Sequence, residues 1–301
     1  MNSITIGFIG LGAMGQAMLG RLLQAGLSVD VYDLDDAAIT GAVKAGAKKA
    51  TSVASLAKGK NLVFVSVSHA DITEKLLCES NGLLETMEQG GIIVDLGTTP
   101  SPQCRHLAKI AQAKGMVFLD APVSGSTPWA IDGELAMMVG GEEEAFEKIQ
   151  PILKLFANKI HYLGDSGNGQ LLKLCHQLTF VSTLSGISEA IALAERSGQS
   201  AQKVLEVLAD CVAPKHVIDF MLPLAASGSF DQGRGSLKLL QKDFHAILSS
   251  SEDADIELPL SKVLSGYLDK AMNNGWQDSD LFALVDMARQ EFLVKSSSEK
   301  G

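Results

Sequence analysis

The most informative stretch of the sequence is GFIGLGAMGQAM, residues 7–18, which places Gly10, Gly12 and Gly15 in G-x-G-x-x-G spacing. It overlaps the apolar, strand-like run ITIGFI and opens a helical pattern that closes at Gly26. A strand, a glycine-rich turn and a helix in this order are what dinucleotide binding requires. Gly10 permits the tight turn, Gly12 lets the backbone approach a pyrophosphate, and Gly15 allows close packing of helix and strand. The alternative is a glycine-rich turn that binds nothing.

The helix after this turn favours an anion at its N-terminus, where the backbone amides of Ala13, Met14 and Gly15 and the positive end of the helix dipole lie. The next strand, SVDVYD, ends at Asp33. A carboxylate there can accept hydrogen bonds from both ribose hydroxyls and would repel a 2′-phosphate. No Lys or Arg follows until Lys44, so the sequence favours NAD over NADP. A role for Asp33 as a helix cap is compatible with either cofactor.

The first half of the chain alternates strand and helix patterns. Short apolar runs typical of strands buried on both faces are NLVFVSV, GGIIVDL and MVFLD, and the helical segments are DDAAITGAVKAG and SPQCRHLAKIAQAKG. This alternation predicts an α/β fold, an N-terminal Rossmann domain with a doubly wound parallel sheet over residues 1–163.

After about residue 163 the alternation stops, and helical patterns with Pro and Gly breaks follow. The segment GNGQLLKLCHQLTFVSTLSGISEAIALAERSG predicts one long inter-domain helix, about 167–197. We expect residues 164–301 to form an all-α domain for substrate binding and oligomerisation. The long helix has few charges, so a self-associated second domain would cover it. The tail SSSEKG is expected to fray.

Polar residues follow two of the predicted strands at their carboxyl ends, where open α/β sheets bind ligands. Ser66 lies in SVSHA, and Thr98 and Thr99 lie in DLGTTP. These positions place hydroxyl groups near the expected nicotinamide. Ordinary capping of the helices that follow is an equally good explanation.

The segment LDAPVSGSTPWA, residues 119–130, is too rich in turn residues to belong to the core. We expect a loop in which Ser124, Gly125 and Ser126 bind a carboxylate through hydroxyl and backbone N–H groups. Trp129 could narrow this pocket or pack at a domain interface.

The segment GQLLKLCHQ puts Lys173, His176 and Gln177 on one face of the predicted long helix. If this helix crosses the mouth of the cofactor site, the amine of Lys173 can take a proton from an alcohol or donate one to an alkoxide. The alternative is a lysine on a solvated helix face. Leucines around the lysine argue against it, and so does a second segment, QKDFHAI, that contributes Lys242 and Asp243.

Composition excludes several other functions. The net charge of −10 argues against nucleic acid as a partner, and positive charge at an anion site must therefore be local. No stretch approaches the ~20 apolar residues of a membrane span, and the first residues lack the pattern of a signal peptide. The cysteines form no CxxC pair and the histidines no HExxH pattern, so we expect reduced thiols, a cytoplasmic protein and no metal site.

Four segments, GFIGLGAMGQAM, DAPVSGS, GDSGNGQLLKLCHQ and QKDFHAI, resemble in order and spacing the motifs of the β-hydroxyacid dehydrogenases, over nearly the whole chain. The resemblance implies a Rossmann domain followed by an all-α domain, a homodimer or homotetramer, and hydride transfer between NAD(P) and a small hydroxy acid with a lysine as acid/base. The matching residues belong to the dinucleotide motif, the substrate loop, the catalytic lysine and a late Lys-Asp pair that the resemblance places near the nicotinamide and the substrate: Gly10, Gly12, Gly15; Ser124, Gly125; Lys173; Lys242, Asp243.

Two positions depart from the motifs of that family. Ser126 stands where a second glycine is usual, and His176 with Gln177 stands where one or two Asn residues are usual. A His-Gln pair resembles the L-threonate dehydrogenase branch. Histidine reaches further than Asn, has one donor and one acceptor when neutral, and can carry charge near neutral pH. We expect His176 to bind an extra substrate hydroxyl or to share in proton relay; the alternative is that it only orients Lys173.

The sequence thus predicts NAD-dependent oxidation of a small anionic hydroxy acid, with a four-carbon polyhydroxy acid such as threonate favoured. One alternative is a 3-hydroxyisobutyrate dehydrogenase or a reductase of tartronate semialdehyde or another semialdehyde. An imine or aldehyde reductase is less favoured, because imine reductases of similar architecture tend to lack the lysine found at Lys173. A non-catalytic dinucleotide-binding protein is the alternative of another class.

Overall fold

The computed structural model of the chain divides into two units, the first ending at Lys173 and the second beginning at Leu174. The predicted fraying tail SSSEKG lies outside the described part of the chain. The residues that the structure describes are 4–196, 198–211, 215–227, 230, 235–253, 255 and 257–291.

The first unit is built on a parallel sheet whose strands are β1 (Ile6–Ile9), β2 (Val29–Tyr32), β3 (Lys48–Lys49), β4 (Leu62–Val65), β5 (Ile92–Asp95) and β6 (Val117–Asp120). Their order in the sheet is β3-β2-β1-β4-β5-β6. The register aligns the last residues of five strands in one row: Tyr32, Ile9, Val65, Asp95 and Asp120. The carboxyl ends of these strands therefore form one level edge, which is where ligands of such sheets bind.

Helices cover both faces of this sheet and alternate with its strands: α1 (Ala13–Gln24), α2 (Asp36–Lys44), α3 (Val53–Ala57), α4 (Ala70–Cys78), α5 (Leu83–Thr86) and α6 (Ser101–Ala113). Because successive strand residues point to opposite faces, Phe8 joins one apolar cluster with Met18 of α1, and Ile9 joins another with Leu107 of α6. The doubly wound α/β architecture predicted from the sequence is confirmed.

A second, three-stranded sheet follows β6, and its strands were not predicted from the sequence. It consists of β7 (Val123–Ser124), β8 (Leu135–Val139) and β9 (Ala157–Tyr162), with α7 (Thr127–Asp132) and α8 (Glu143–Leu153) between them. The prediction of a loop over residues 119–130 was therefore wrong at Val123–Ser124, which form β7, and from Thr127, where α7 begins. Pro128 suits the first turn of α7, and Gly133 ends that helix with a φ of 78°.

The second unit is helical, as predicted. Helix α9 (Asn168–Arg196) begins in the first unit and continues into the second, followed by α10 (Ala201–Asp210), α11 (Lys215–Ser227), α12 (Leu237–Asp253), α13 (Pro259–Asn273), a 3-10 turn (Leu281–Ala283) and α14 (Leu284–Glu291). These helices bury one apolar cluster, whose large members include Met221, Leu224, Phe230, Phe244 and Leu268. Each such side chain contributes roughly 1.5–3 kcal/mol through burial.

The predicted boundary between residues 163 and 164 precedes α9, whereas the two units meet inside that helix. The assignment of residues 164–301 to substrate binding and oligomerisation stays a prediction. Within the described ranges, no helix combines the length and the apolar character that crossing a bilayer would require.

Candidate functional site

Two glycines of the first turn are required by the fold itself. Gly10 has a φ of 94°, and a Cβ there would lie 2.1 Å from the carbonyl oxygen of Ser66. A Cβ on Gly15 would lie 2.0 Å from the carbonyl oxygen of Gly10. Both obstacles are backbone atoms, which cannot move aside. Glycine at position 10 therefore lets the turn approach the end of β4, and glycine at position 15 lets α1 approach the turn.

Gly12 is different, because a Cβ there would meet nothing within 4 Å, and its φ of −62° suits any residue. The chain's own packing therefore does not explain a glycine at this position. Helix α1 begins at the next residue, with no side-chain cap and no acidic residue in its first turn. The amides of Ala13 and Met14 thus have no intrahelical acceptor, and an open surface lies beside them. This arrangement fits the diphosphate of a dinucleotide.

Asp33 follows β2 and is held against the same turn. Its carboxylate accepts hydrogen bonds from the backbone N–H of Leu11 at 2.5 Å and of Asp35 at 2.9 Å. A carboxylate has about four acceptor sites, so capacity for ribose hydroxyls is left. The side chain that caps α2 is Asp35, which accepts from the backbone N–H of Ala37 at 2.8 Å. The explanation of Asp33 as the cap of α2 was therefore wrong.

Ser66 and Thr98 lie after β4 and β5 at the carboxyl edge of the sheet, and both are partly exposed. Thr99 is buried, and its hydroxyl donates to Oδ2 of Asp95 at 2.7 Å. The expectation that the Thr99 hydroxyl is offered to a nicotinamide was therefore wrong. Capping does not explain these threonines either, because α6 begins at Ser101 without a side-chain cap.

The expected carboxylate loop lies between β7 and α7. Ser124 belongs to β7, and Ser126 occupies the N-cap position of α7 without making a side-chain cap bond. Gly125 has a φ of 136°, and a Cβ there would lie 3.3 Å from the side chain of Trp129. Ser124, Gly125 and Ser126 are thus consecutive and partly or fully exposed, as the predicted role requires. Trp129 packs over this backbone, and its effect on a pocket stays a prediction.

The start of α9 is held by Asp120, a residue that sequence reasoning did not select. Its Oδ1 accepts from the backbone N–H of Gly167 at 2.7 Å, and its Oδ2 accepts from that of Gln170 at 2.9 Å. Gln170 is the third residue of α9, whose amide a helix cap normally binds. Gly167 has no side chain and a φ of 91°, so a carboxylate from β6 caps the helix in its place.

Gln170 ties the same helix turn to the end of β5. Its Oε1 accepts from the backbone N–H of Thr99 at 3.1 Å, and its Nε2 donates to the carbonyl oxygen of Gly97 at 2.8 Å. Both Gln170 and Asp120 are fully buried. The signal that could have identified Asp95 and Asp120 is an acidic residue at the end of a buried apolar run, in GGIIVDL and MVFLD.

This buried network changes the protonation behaviour of its members. Burial raises the pKa of Asp120 to about 6, and the charge of Asp95 raises it by a smaller amount. The hydrogen bonds from the backbone of Gly167 and Gln170 act in the opposite direction and lower this pKa. Burial also raises the pKa of the Cys104 thiol well above its usual value, and the charges of Asp120 and Asp95 act in the same direction. The Cys104 thiol is therefore neutral near pH 7.

Lys173 lies three residues after Gln170 and is 9% exposed. The alternative of a lysine on a solvated helix face was therefore wrong. Its neighbour Leu174 is buried, whereas Leu171 and Leu172 are exposed. Burying a charged amine costs free energy of desolvation unless polar partners compensate for the lost hydration. Buried lysines of this kind are often functional.

In the second unit, Gln177 joins His176 to Asp243. Nδ1 of His176 lies 3.2 Å from Oε1 of Gln177, and Nε2 of Gln177 donates to Oδ2 of Asp243 at 2.5 Å. Nζ of Lys242 lies 3.3 Å from Oδ1 of Asp243, an ion pair without the alignment of a hydrogen bond. The His176 ring is exposed and stacks parallel to Phe180, with centroids 6.4 Å apart. Four residues selected from the sequence are thus one connected cluster.

Among the residues described, no group of three or more His, Cys, Asp or Glu side chains could hold a metal ion. The four cysteines are free thiols, of which Cys104 is buried and Cys78, Cys175 and Cys211 are exposed.

Comparison with known sequence families identifies relatives of both halves of the chain. A family described as the NAD binding domain of 6-phosphogluconate dehydrogenase matches residues 5–164. A second, described as the NAD-binding of NADP-dependent 3-hydroxyisobutyrate dehydrogenase, matches residues 167–288.

Individual relatives span almost the whole chain. The 2-(hydroxymethyl)glutarate dehydrogenase of Eubacterium barkeri is 30% identical over 290 residues, covering 96% of each protein. The 3-hydroxyisobutyrate dehydrogenase of Pseudomonas aeruginosa is 31% identical over 261 residues, covering 85% of this chain and 88% of the relative. Among solved structures, the 3-hydroxyisobutyrate dehydrogenase of Mycobacterium tuberculosis with L-serine has a TM-score of 0.85 at 27% identity, covering 95% of this chain and 99% of that one.

Proposed function

Because this chain belongs to the β-hydroxyacid dehydrogenase family and is an NAD(P)-dependent oxidoreductase acting on CH–OH groups, we propose that its substrate is a four-carbon polyhydroxy acid such as threonate. The observation that carries the proposal is the bridge from His176 through Gln177 to Asp243. Where the family usually has Asn, this chain has an imidazole in contact with Gln177. An imidazole offers a hydrogen-bonding atom for an additional hydroxyl.

The cofactor would bind at the turn after β1. The amides of Ala13 and Met14 would hold its diphosphate, Gly12 would leave room for it, and Asp33 would bind the adenosine ribose. We propose NAD as the preferred form, because the Asp33 carboxylate is fixed by the N–H groups of Leu11 and Asp35. A fixed carboxylate cannot turn away from a 2′-phosphate, which it repels. When bound, the nicotinamide supplies the acceptor for the hydride of the carbinol carbon.

The proton is assigned to Lys173, which would take it from the substrate hydroxyl during oxidation and return it during reduction. The anchoring of α9 by Asp120 and Gln170 would fix the height of that amine above the sheet edge. Ser124, Gly125 and Ser126 would bind the substrate carboxylate through hydroxyl and N–H groups. Lys242 would add positive charge, with Asp243 as its partner.

A second candidate function is 3-hydroxyisobutyrate oxidation, which the similarity to the Pseudomonas aeruginosa and Mycobacterium tuberculosis enzymes favours. The same residues would also serve reduction of tartronate semialdehyde or another semialdehyde, since acid and base exchange roles in the reverse direction. The non-catalytic alternative is set aside, because the chain is an oxidoreductase. We further propose a homodimer or homotetramer located in the cytoplasm.

The test is absorbance at 340 nm with NAD and NADP offered separately and with L-threonate, D-threonate, erythronate, glycerate, L-serine and 3-hydroxyisobutyrate as substrates. We expect the highest kcat/KM with NAD and a four-carbon polyhydroxy acid. The matched variant His176→Asn should lower that kcat/KM about tenfold, the value of roughly one hydrogen bond to a hydroxyl. Its activity on 3-hydroxyisobutyrate should change less than twofold, as expected for a side chain that contacts only the additional hydroxyl.

Preferred turnover of 3-hydroxyisobutyrate by the wild-type protein would contradict the proposal and establish the second candidate. The proposal would also be contradicted if His176→Asn ranked the substrates by kcat/KM in the same order as the wild-type protein, since His176 would then have no part in substrate choice.

A further inference from the structure

The two ends of the Gln177 side chain are told apart by what they face. A glutamine amide has an oxygen that only accepts and an NH₂ group that only donates. The carboxylate of Asp243 only accepts, and one amide end of Gln177 lies 2.5 Å from its Oδ2. That end must be the NH₂ group. The nearby ammonium of Lys242, 3.3 Å from Oδ1, balances the charge of the carboxylate.

With the amide so oriented, its oxygen faces His176. Oε1 of Gln177 lies 3.2 Å from Nδ1 of the imidazole, and a carbonyl oxygen has no hydrogen to give. Nδ1 must therefore carry the hydrogen of this bond. In a neutral imidazole only one ring nitrogen is protonated, so Nε2 becomes the acceptor atom of the ring.

The plane of the ring is constrained as well as its tautomer. Phe180 lies one helical turn after His176, and the two rings are parallel with centroids 6.4 Å apart. Stacking limits rotation about the outer bond of the His176 side chain. The contacts with Gln177 and Phe180, one polar and one apolar, both restrict the direction in which Nε2 points.

We propose that Asp243 is a positioning residue for substrate selection: through Gln177 it keeps His176 in the Nδ1–H tautomer, so that Nε2 accepts a hydrogen bond from a substrate hydroxyl. The ligand class is an acid with a hydroxyl, and not a methyl group, opposite Nε2. This selection role rests on the proposed function, whereas the tautomer rests on the contacts of Gln177 alone.

Glutamine is required in this chain of contacts because it must reach two partners at once. Asn at position 177 would be one methylene shorter and could not contact both Asp243 and His176 in their present places. Asn at position 243 would keep the shape of Asp243, but its amide can donate as well as accept. It would therefore no longer dictate which end of Gln177 faces it.

The tautomer is measured by long-range ¹H–¹⁵N NMR of the full-length protein labelled at histidine, at a pH where the ring is neutral. The His176 signals are identified as those missing from His176→Asn. We expect a protonated Nδ1 and an unprotonated Nε2 in the wild-type protein. Gln177→Asn and Asp243→Asn should each give a mixture of tautomers. A wild-type ring protonated at Nε2, or an unchanged Nδ1–H tautomer in both variants, would overturn the proposal.

Folding is controlled separately by circular dichroism melting. Asp243 is buried and its variant could fail to fold, whereas Gln177 is half-buried and its shortening creates no sealed cavity. Gln177→Asn therefore keeps the test available in either case.

The selection role is measured with matched acids that carry or lack the additional hydroxyl. Gln177→Asn should raise KM for the polyhydroxy acid about tenfold, leave kcat within about threefold, and change the methyl-bearing acid little. Equal effects on both acids would overturn the selection role. If no polyhydroxy acid is turned over while the wild-type ring shows Nδ1–H, the proposed function is lost and the positioning of His176 by Asp243 is supported.

Discussion

At the scale of single residues, the glycine-rich turn region contains two glycines that the packing of the chain requires and one that it does not. Gly10 and Gly15 are glycines because a Cβ would collide with backbone oxygens at 2.1 and 2.0 Å. Gly12 has open space around it, so the packing of the chain places no requirement for glycine at this position. The motif spacing alone does not show which of these glycines the packing of the chain requires, because all three positions carry the same residue.

Because the packing of the chain requires Gly10 but not Gly12, substitutions at these two positions should affect folding stability differently. Gly12→Ala should fold with an unchanged melting temperature but bind NADH roughly tenfold more weakly, because its methyl group would stand where a diphosphate approaches. Gly10→Ala, the matched control, should lose roughly 2–4 kcal/mol of folding stability through backbone collision and an unfavourable φ. Thermal melting and NADH fluorescence titration measure both. If Gly12→Ala lost folding stability together with NADH affinity, the different roles assigned to Gly12 and Gly10 would be contradicted.

At the scale of elements, the first turn of α9 depends on residues far away in the sequence. Asp120 of β6 replaces the missing side chain of Gly167 as its cap, and Gln170 joins it to the backbone after β5. The first turn of α9 is thereby fixed to the carboxyl edge of the sheet. The cap is formed by a buried carboxylate, whose charged form is disfavoured by desolvation.

The raised pKa of Asp120 has a consequence for stability against pH. Because its pKa is raised from 3.8 to about 6, the folded protein binds this proton more tightly than the unfolded chain between pH 4 and 6. This group therefore lowers the unfolding free energy as pH rises through that window. Asp120→Asn removes the effect, so the stability of the variant relative to wild type should increase from pH 4 to pH 7, by on the order of 3 kcal/mol.

Urea unfolding of both proteins at several pH values measures this relative change. Asp132→Asn is the matched control, since Asp132 is exposed in α7. Wild-type and Asp120→Asn stabilities that ran parallel over the whole window would contradict the assignment of the titration to Asp120.

At the scale of the whole molecule, the second unit has apolar side chains on its surface as well as in its core. Val263 is 70% exposed and Leu260 is 58% exposed, both on α13. Neighbouring exposed apolar residues on one helix are typical of surfaces that associate. They support the proposed homodimer or homotetramer.

Light scattering after gel filtration should give a mass of two or four chains. Val263→Lys should shift this mass towards one chain, because a charge would have to be buried in the contact. The matched control Val43→Lys, at an exposed position of α2 in the first unit, should leave the mass unchanged. A wild-type mass of one chain would contradict the proposed assembly.

Features that depend on neighbours along the chain could be predicted from the amino-acid sequence. Short continuous apolar runs and glycine spacing predicted the parallel sheet and the turn after β1, and helical periodicity predicted the second half. The three-stranded sheet was not predicted, because β7 has only two residues and β8 and β9 carry weak signals beside the strong pattern of the main sheet. The order of the motifs identified five candidate site residues, but it did not predict which of them contact one another. These residues are Lys173, His176, Gln177, Lys242 and Asp243.

Which residues contact one another depends on the folded arrangement of strands and helices. The cap of α9 joins positions 47 and 50 residues apart, and the Gln177–Asp243 bond joins positions 66 apart. Such contacts depend on strand register and helix packing, which no local pattern encodes. In the sequence, Asp120 is simply the last residue of a predicted strand. Its role as the cap of the first turn of α9 is visible only in the folded structure. The hydrogen-bonding direction of His176 was likewise open in the sequence, because a tautomer is set by the partner that the fold brings to it.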